Sequence, residues 1–125
     1  MRASKIHSKT VLVTGCSSGI GKSIANCLRD NGWDVFPTAR SESDLQRLHS
    51  KGFDALYMDL TDSISIDDCV SSLTRKTPLG IGAIVNNAGI AIPGAVEDLP
   101  REALKQNFEA NVFGWHDLIV QVIPI

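Results

Sequence analysis

Two kinds of apolar pattern alternate along this chain. Short unbroken apolar runs read as strands, and stretches with an apolar residue every three or four positions read as helices. Residues 10–14 (TVLVT) are apolar and β-branched, with Gly15 immediately after, and predict a buried strand. Ile20, Ile24, Cys27 and Leu28 then share one helical face, and Asn31-Gly32 is a stop signal. Residues 33–38 (WDVFPT) predict a second strand, with Pro37 tolerable only near its end because proline donates no ladder hydrogen bond. Ser41 followed by Asp44 has the form of a capping box, and Leu45 and Leu48 make a short helix ended near Gly52. Residues 53–58 predict a third strand. Asp62 or Ser63 can cap the next helix, whose face is Ile66, Cys69, Val70 and Leu73 and which Pro78 and Gly80 break. Residues 81–85 (IGAIV) predict a fourth strand, followed by a loop with Gly89, Pro93 and Gly94. From about Arg101 one long helix is expected, with Leu104, Phe108, Val112, Trp115, Ile119 and Val122 on a single stripe and Pro124 at its end.

The order is β-α-β-α-β-α-β-α. Strands spaced by helices imply right-handed crossovers and a parallel sheet covered on both faces. The fold class is therefore α/β, the first half of a doubly wound sheet with strand order 3-2-1-4.

Composition narrows the function classes. Of 125 residues, 43% are hydrophobic and 21% charged, ordinary for one globular domain. Twelve Lys+Arg against fourteen Asp+Glu give a net charge of −2, which argues against a nucleic-acid or anionic-membrane binder held by bulk positive charge. Cys16, Cys27 and Cys69 are odd in number and include no CxxC, so neither a disulfide framework nor a zinc site is expected. His7, His49 and His116 have no metal-ligand spacing, and no metal is expected. The apolar run behind the basic N-terminus covers only Val11, Leu12 and Val13, where a secretory core needs about 7–15 residues. No run approaches the roughly 18 of a membrane span. Three reduced thiols in a soluble, cytoplasmic protein is the resulting expectation.

The octet Thr14-Gly15-Cys16-Ser17-Ser18-Gly19-Ile20-Gly21 lies between the first strand and the first helix. Gly15 permits a tight turn, Gly19 leaves room for close approach of a pyrophosphate, and Gly21 lets helix and strand pack closely. Free N–H groups and the positive dipole end of the helix favour phosphates, and Ser17 and Ser18 can add hydroxyl donors. The alternative is a glycine-rich turn with no ligand. A Walker A loop is disfavoured, because before Gly21-Lys22-Ser23 the first glycine of that pattern falls at Cys16.

These residues resemble the classical short-chain dehydrogenases/reductases. TGCSSGIG looks like their TGxxxGxG cofactor turn, including Ile20. Asn86-Asn87-Ala88-Gly89 is similar to their NNAG motif. Asp59-Leu60-Thr61 matches their acidic residue after the third strand, and Asn111 matches the helix asparagine of their Asn-Ser-Tyr-Lys tetrad. The resemblance covers essentially the whole chain and implies a Rossmann-like fold and a nicotinamide dinucleotide cofactor. It implies that Asn86 ties the central strands together, while Asn87, Ala88 and Gly89 line the ribose and nicotinamide side. It also implies that Asp59, with Leu60 beside it, meets the adenine amino group, the alternative for Asp59 being a helix N-cap.

An NAD site usually ends its second strand in a carboxylate for the ribose 2′-OH. That position is Ala39 here, and Arg40 follows. An arginine can pair with a 2′-phosphate through charge-assisted hydrogen bonds, with Ser41 able to assist, so NADP(H) is preferred over NAD(H). The alternative for Arg40 is a solvated charge before a helix.

Asn111 is a polar amide on an apolar stripe and needs partners. Local backbone could satisfy it; the resemblance implies a catalytic proton relay. The family's other catalytic residues are absent. Tyr57 is followed four residues later by Thr61, so there is no YxxxK, and the strand that carries the catalytic serine is absent too. The expectation is the N-terminal portion of an NADP(H)-dependent oxidoreductase acting on a carbonyl or alcohol small molecule. This chain alone is expected to be inactive, and the complete enzyme to form a homo-oligomer through the last helix. The alternatives are a non-catalytic NADP(H)-binding module and an oligomerisation or inhibitory partner of full-length homologues.

Overall fold

A computed structural model describes residues 8–125. His7 and the basic residues before it lie outside the described residues. The strands β1 (Thr10–Val13), β2 (Asp34–Ala39), β3 (Leu56–Tyr57) and β4 (Ala83–Val85) form one parallel sheet in the order β3-β2-β1-β4, as the alternation of patterns predicts. Successive side chains leave a strand on opposite faces, and here both faces are covered. Leu12 and Phe36 point to one face, where α3 (Ser63–Lys76) and α5 (Gly114–Val122) bring Ile66, Cys69, Leu73, Leu118 and Val122. Val11, Val13 and Val35 point to the other, where α1 (Gly19–Asp30) and α2 (Glu42–His49) bring Ala25, Leu45 and Leu48. That is why the strands read as continuous apolar runs.

The helix signals of α2 and α3 translate directly. Ser41 accepts from the N–H of Asp44 at 3.2 Å and caps α2, while its hydroxyl donates to the Asp44 carboxylate at 2.7 Å. Asp62 accepts from the N–H of Ile64 and caps α3, whose Ile66, Cys69, Val70 and Leu73 are all buried. Asn31 and Gly32, the latter at φ +79°, end α1.

Several expectations need correction. On α1 the buried residues are Gly21 and Ala25, whereas Ile20 is 73% exposed and Cys27 is exposed. The third strand is shorter than residues 53–58. Pro37 lies within β2 and pairs with Val13 on one side, and pairing with β3 begins only after it, at Thr38 with Leu56.

The single long helix is three pieces. α4 (Arg101–Phe108) passes into a π turn over Glu109–Phe113 and then into α5. Ala110, Gly114, Leu118 and Val122 are the buried positions, while Leu104, Phe108 and Val112 are about half exposed. The extra residue of a π turn shifts the angular register, so a stripe counted at 3.6 residues per turn does not continue across it. Among the described residues no helix is long and apolar enough to cross a membrane.

Candidate functional site

A cavity of about 470 Å³ opens beyond the carboxyl ends of the strands. Strand order reverses at β1, so the cavity lies at the topological switch point where open α/β sheets bind ligands. Its floor is the turn between β1 and α1, with Gly15, Ser17, Ser18, Gly19 and Ile20. Ala39 and Arg40 come from the end of β2, Asp59 and Leu60 from the segment after β3, and Asn87, Ala88, Gly89 and Ile90 from the segment after β4. Every cofactor residue expected from the sequence therefore lines this cavity except Gly21, which is buried beneath the turn, and Ser41, expected to assist Arg40.

The turn is shaped by its glycines. Gly15 sits at φ +71°, and a Cβ there would lie 2.8 Å from Cα of Ala88. Gly21 is tighter still, since a Cβ would collide with the carbonyl oxygen of Gly15 and Nδ2 of Asn87. Ser18, the residue before α1, is extended and gives no side-chain cap, and the first turn of α1 holds no acidic residue. The N–H groups at the start of α1 thus have no side-chain acceptor among the described residues, the arrangement that binds phosphate. Lys22 near the start of α1, Arg29 in its last turn and Arg47 in the last turn of α2 lie around Lys51. Their mutual repulsion, chiefly that of Lys22, lowers the pKa of Lys51.

Cys16 is part of the turn's anchorage. Its N–H donates to the Thr38 carbonyl at 2.8 Å and its thiol donates to the Val13 carbonyl at 3.2 Å. Burial pushes the thiol pKa up to about 12, so Cys16 is no nucleophile.

Thr14 and Asn87 join turn to β4. The Thr14 hydroxyl oxygen accepts from the N–H groups of Asn87 and Ala88, each at 2.9 Å. Nδ2 of Asn87 donates to the carbonyls of Thr14 and Gly15, each at 3.0 Å. The tie between central strands expected of Asn86 thus belongs to Asn87, while Oδ1 of Asn86 is buried without a partner among the described residues.

At the other end, Arg40 is exposed at the cavity wall and has no ion-pair partner among the described residues. Ser41, expected to assist it, is not in the wall and has committed its hydroxyl to Asp44. Asp59 accepts at Oδ1 from the N–H and hydroxyl of Thr61, at 2.9 and 2.8 Å. Asp62 caps α3, so Asp59 is not that helix's cap.

Asn111 lies in the π turn. Its Oδ1 accepts from the Ile90 N–H at 2.9 Å, and its Nδ2 donates to the Ile90 carbonyl at 2.8 Å. The partner is backbone but not local, being 21 residues away. Two contributors went unread in the sequence. Arg47 pairs with Asp44 and donates to the Ser17 carbonyl at 3.4 Å, tying α2 to the turn. Trp115, read as an apolar stripe residue, donates its indole N–H to the Ala88 carbonyl at 2.7 Å. A capping-box aspartate three residues before an arginine is a signal for the first; nothing local signals the second.

The lining holds no Tyr, Lys or His, and among the described residues no cluster could hold a metal ion. Tyr57 is not in the wall, His49 meets the Ala55 carbonyl at 3.1 Å, and His116 is exposed. Such a cavity can hold an elongated anionic ligand but offers no side chain suited to exchange a proton near neutral pH.

Comparison with known proteins agrees with this geometry. The chain is 36% identical over 120 residues to the uncharacterized oxidoreductase YbbO of Escherichia coli K12, covering 96% of this chain and 45% of that protein. It superposes on a short-chain dehydrogenase from Streptomyces avermitilis with a TM-score of 0.86 at 33% identity, covering 99% of this chain and 45% of the other. It superposes on the NADPH-bound carbonyl reductase from chicken fatty liver with a TM-score of 0.85 at 26% identity, covering 94% and 48%. The chain thus spans less than half the length of these relatives. The family profile described as short chain dehydrogenase matches residues 9–125, and with the glycine turn, the parallel sheet and the switch-point cavity in agreement, the chain belongs to the short chain dehydrogenase family.

Proposed function

We propose that this chain is the dinucleotide-holding portion of an oxidoreductase and binds NADP(H) in preference to NAD(H). The observation that carries the reading is the pairing of an α1 N-terminus without a side-chain cap with an Arg40 that has no ion-pair partner among the described residues, in one cavity wall, where Ala39 replaces the carboxylate of an NAD site. The cavity volume of about 470 Å³ is within the usual range for cofactor sites. The NADPH bound to the chicken carbonyl reductase supports the same choice.

In this reading the start of α1 and Ser17 and Ser18 hold the pyrophosphate. Arg40 pairs with the 2′-phosphate, and Asp59, with Leu60 beside it, meets the adenine. Asn87, Ala88 and Gly89 form the wall towards the nicotinamide ribose. When bound, NADP(H) supplies a hydride for a carbonyl or takes one from an alcohol. Asn111 positions the wall at Ile90 and belongs to the proton relay of a complete site. This portion lacks the serine, tyrosine and lysine of that site, so residues 1–125 make one dinucleotide-binding domain without turnover of its own. The three free thiols fit a reducing, cytoplasmic setting.

Titration with NADPH and NADH, read by enhancement of the reduced nicotinamide's fluorescence, tests the proposal. Saturable NADPH binding at least about tenfold tighter than NADH binding supports it. Equal affinities refute the cofactor preference, and no binding of either refutes the reading as a whole.

One observation favours a second role beside the first. Leu104, Phe108, Val112 and Phe113 are about half exposed around the junction of α4 and the π turn. This apolar surface supports self-association through the last helix. Sedimentation over a range of concentrations tests it, and a strictly monomeric chain would count against it.

A further inference from the structure

The wall segment from Asn87 to Ile90 is fixed by three elements that are far apart in sequence. From the β1 end, Thr14 takes the N–H groups of Asn87 and Ala88. From the π turn, Asn111 takes both backbone groups of Ile90. From α5, the indole N–H of Trp115 takes the Ala88 carbonyl at 2.7 Å. Within this segment the N–H and carbonyl of Gly89 make no hydrogen bond among the described residues. Gly89 is exposed and lines the cavity. The clamps therefore immobilise its neighbours and leave both backbone polar groups of Gly89 without a partner among the described residues, at the ligand's side.

Asn111 and Trp115 flank Gly114, whose missing side chain lets the helix press against the carbonyl of Leu60, another wall residue. Ala110 lines the cavity itself. One face of this helix is thus applied to the cavity wall, and within it Trp115 donates to the carbonyl of Ala88. A phenylalanine keeps an aromatic ring at this site, though a smaller one, and lacks the donor.

We propose that Trp115 is a positioning residue for the dinucleotide: its indole N–H fixes the Ala88 carbonyl and thereby sets the free backbone groups of Gly89 against the ligand. The proposal rests on the dinucleotide-binding reading above. Losing the donor frees the Ala88 carbonyl to rotate, and preorganisation is lost from the wall rather than from the core.

The test compares Trp115→Phe with Leu118→Val for NADPH affinity and for urea midpoint. Leu118 is fully buried one turn further along α5 and belongs to the core, not to the cavity lining. We expect Trp115→Phe to weaken NADPH binding by about fivefold, the size of one neutral hydrogen bond. Leu118→Val should lower the urea midpoint and leave NADPH affinity of the folded protein unchanged. Wild-type affinity in Trp115→Phe, or an equal loss in both variants, overturns the positioning role while leaving the dinucleotide reading intact. Failure of the wild-type chain to bind NADPH overturns both.

Discussion

Asn111 grips both backbone polar groups of Ile90, accepting from its N–H at 2.9 Å and donating to its carbonyl at 2.8 Å. The grip joins the π turn to the segment after β4. Removing it in Asn111→Ala leaves two backbone groups without partners in a half-buried setting. At about 1 kcal/mol for each bond, the variant should lose about 2 kcal/mol of stability in urea denaturation. Asn111→Asp keeps the acceptor but turns a carboxylate towards the Ile90 carbonyl, so it should recover less than half of that loss. Full recovery by Asp would mean that the bond to the carbonyl contributes nothing.

Gly21→Ala sets two opposed effects against each other. Alanine improves helix propensity by about 1 kcal/mol. Its Cβ, however, collides with the Gly15 carbonyl and the Asn87 side chain, both of which are already hydrogen-bonded to one another. Overpacking against constrained backbone costs about 1–3 kcal/mol or more, so the collision wins. The variant should unfold at lower urea and lose NADPH binding. Unchanged or raised stability would show that helix and turn are not in close contact.

Arg40→Ala should separate the two nicotinamide cofactors. A charge-assisted hydrogen bond is worth about 1.5–3 kcal/mol, which predicts roughly 10- to 150-fold weaker NADPH binding. NADH has no 2′-phosphate and should bind the variant as it binds the wild type. Added salt should weaken NADPH binding to the wild type more than to the variant. A parallel loss for both cofactors would place Arg40 in the fold rather than in the choice of ligand.

The three thiols should differ sharply. Cys27 is exposed, while burial pushes the thiols of Cys16 and Cys69 up from 9.0 to about 12. One thiol should react quickly with a disulfide reagent in the native protein, and all three after denaturation. The sign of the pH effect follows from the raised values. Stability is undiminished below about pH 9, where thiols of the unfolded chain are still protonated. It falls as pH rises from there towards 12, because the unfolded chain ionises first. Replacing Cys16 and Cys69 by alanine should flatten the alkaline limb of the stability curve, and an unchanged slope would contradict the assignment.

The order of elements was legible because two periods alternate cleanly, and the glycine turn because its position between strand and helix gives each glycine a steric task. The face of α3 was legible too, since an amphipathic helix on a sheet follows its own period. Failures arose where distant contacts decide. Gly21 must face inward to let α1 meet the turn, so Ile20 is turned out despite being apolar. Asn86 and Asn87 are adjacent amides, and only the location of Thr14 and Gly15 shows which one ties the sheet. Trp115 reads as a core aromatic because its hydrogen-bond acceptor is 27 residues away. Arg47 reads as helix surface because the carbonyl it reaches lies in the first turn of the domain.

The π turn gives the last helix one residue of slack. Deleting a single residue within it could close the backbone into an uninterrupted α-helix with a complete ladder of hydrogen bonds. With α5 anchored by Leu118 and Val122, the deletion would leave α4 facing as it does now, because a π turn takes up one extra residue in nearly the same rotation as the α turn it replaces. Leu104 and Phe108 would keep the outer surface they now occupy. A one-codon deletion in this stretch therefore removes the loosened turn that carries Asn111 while the helix shows the same side to its surroundings.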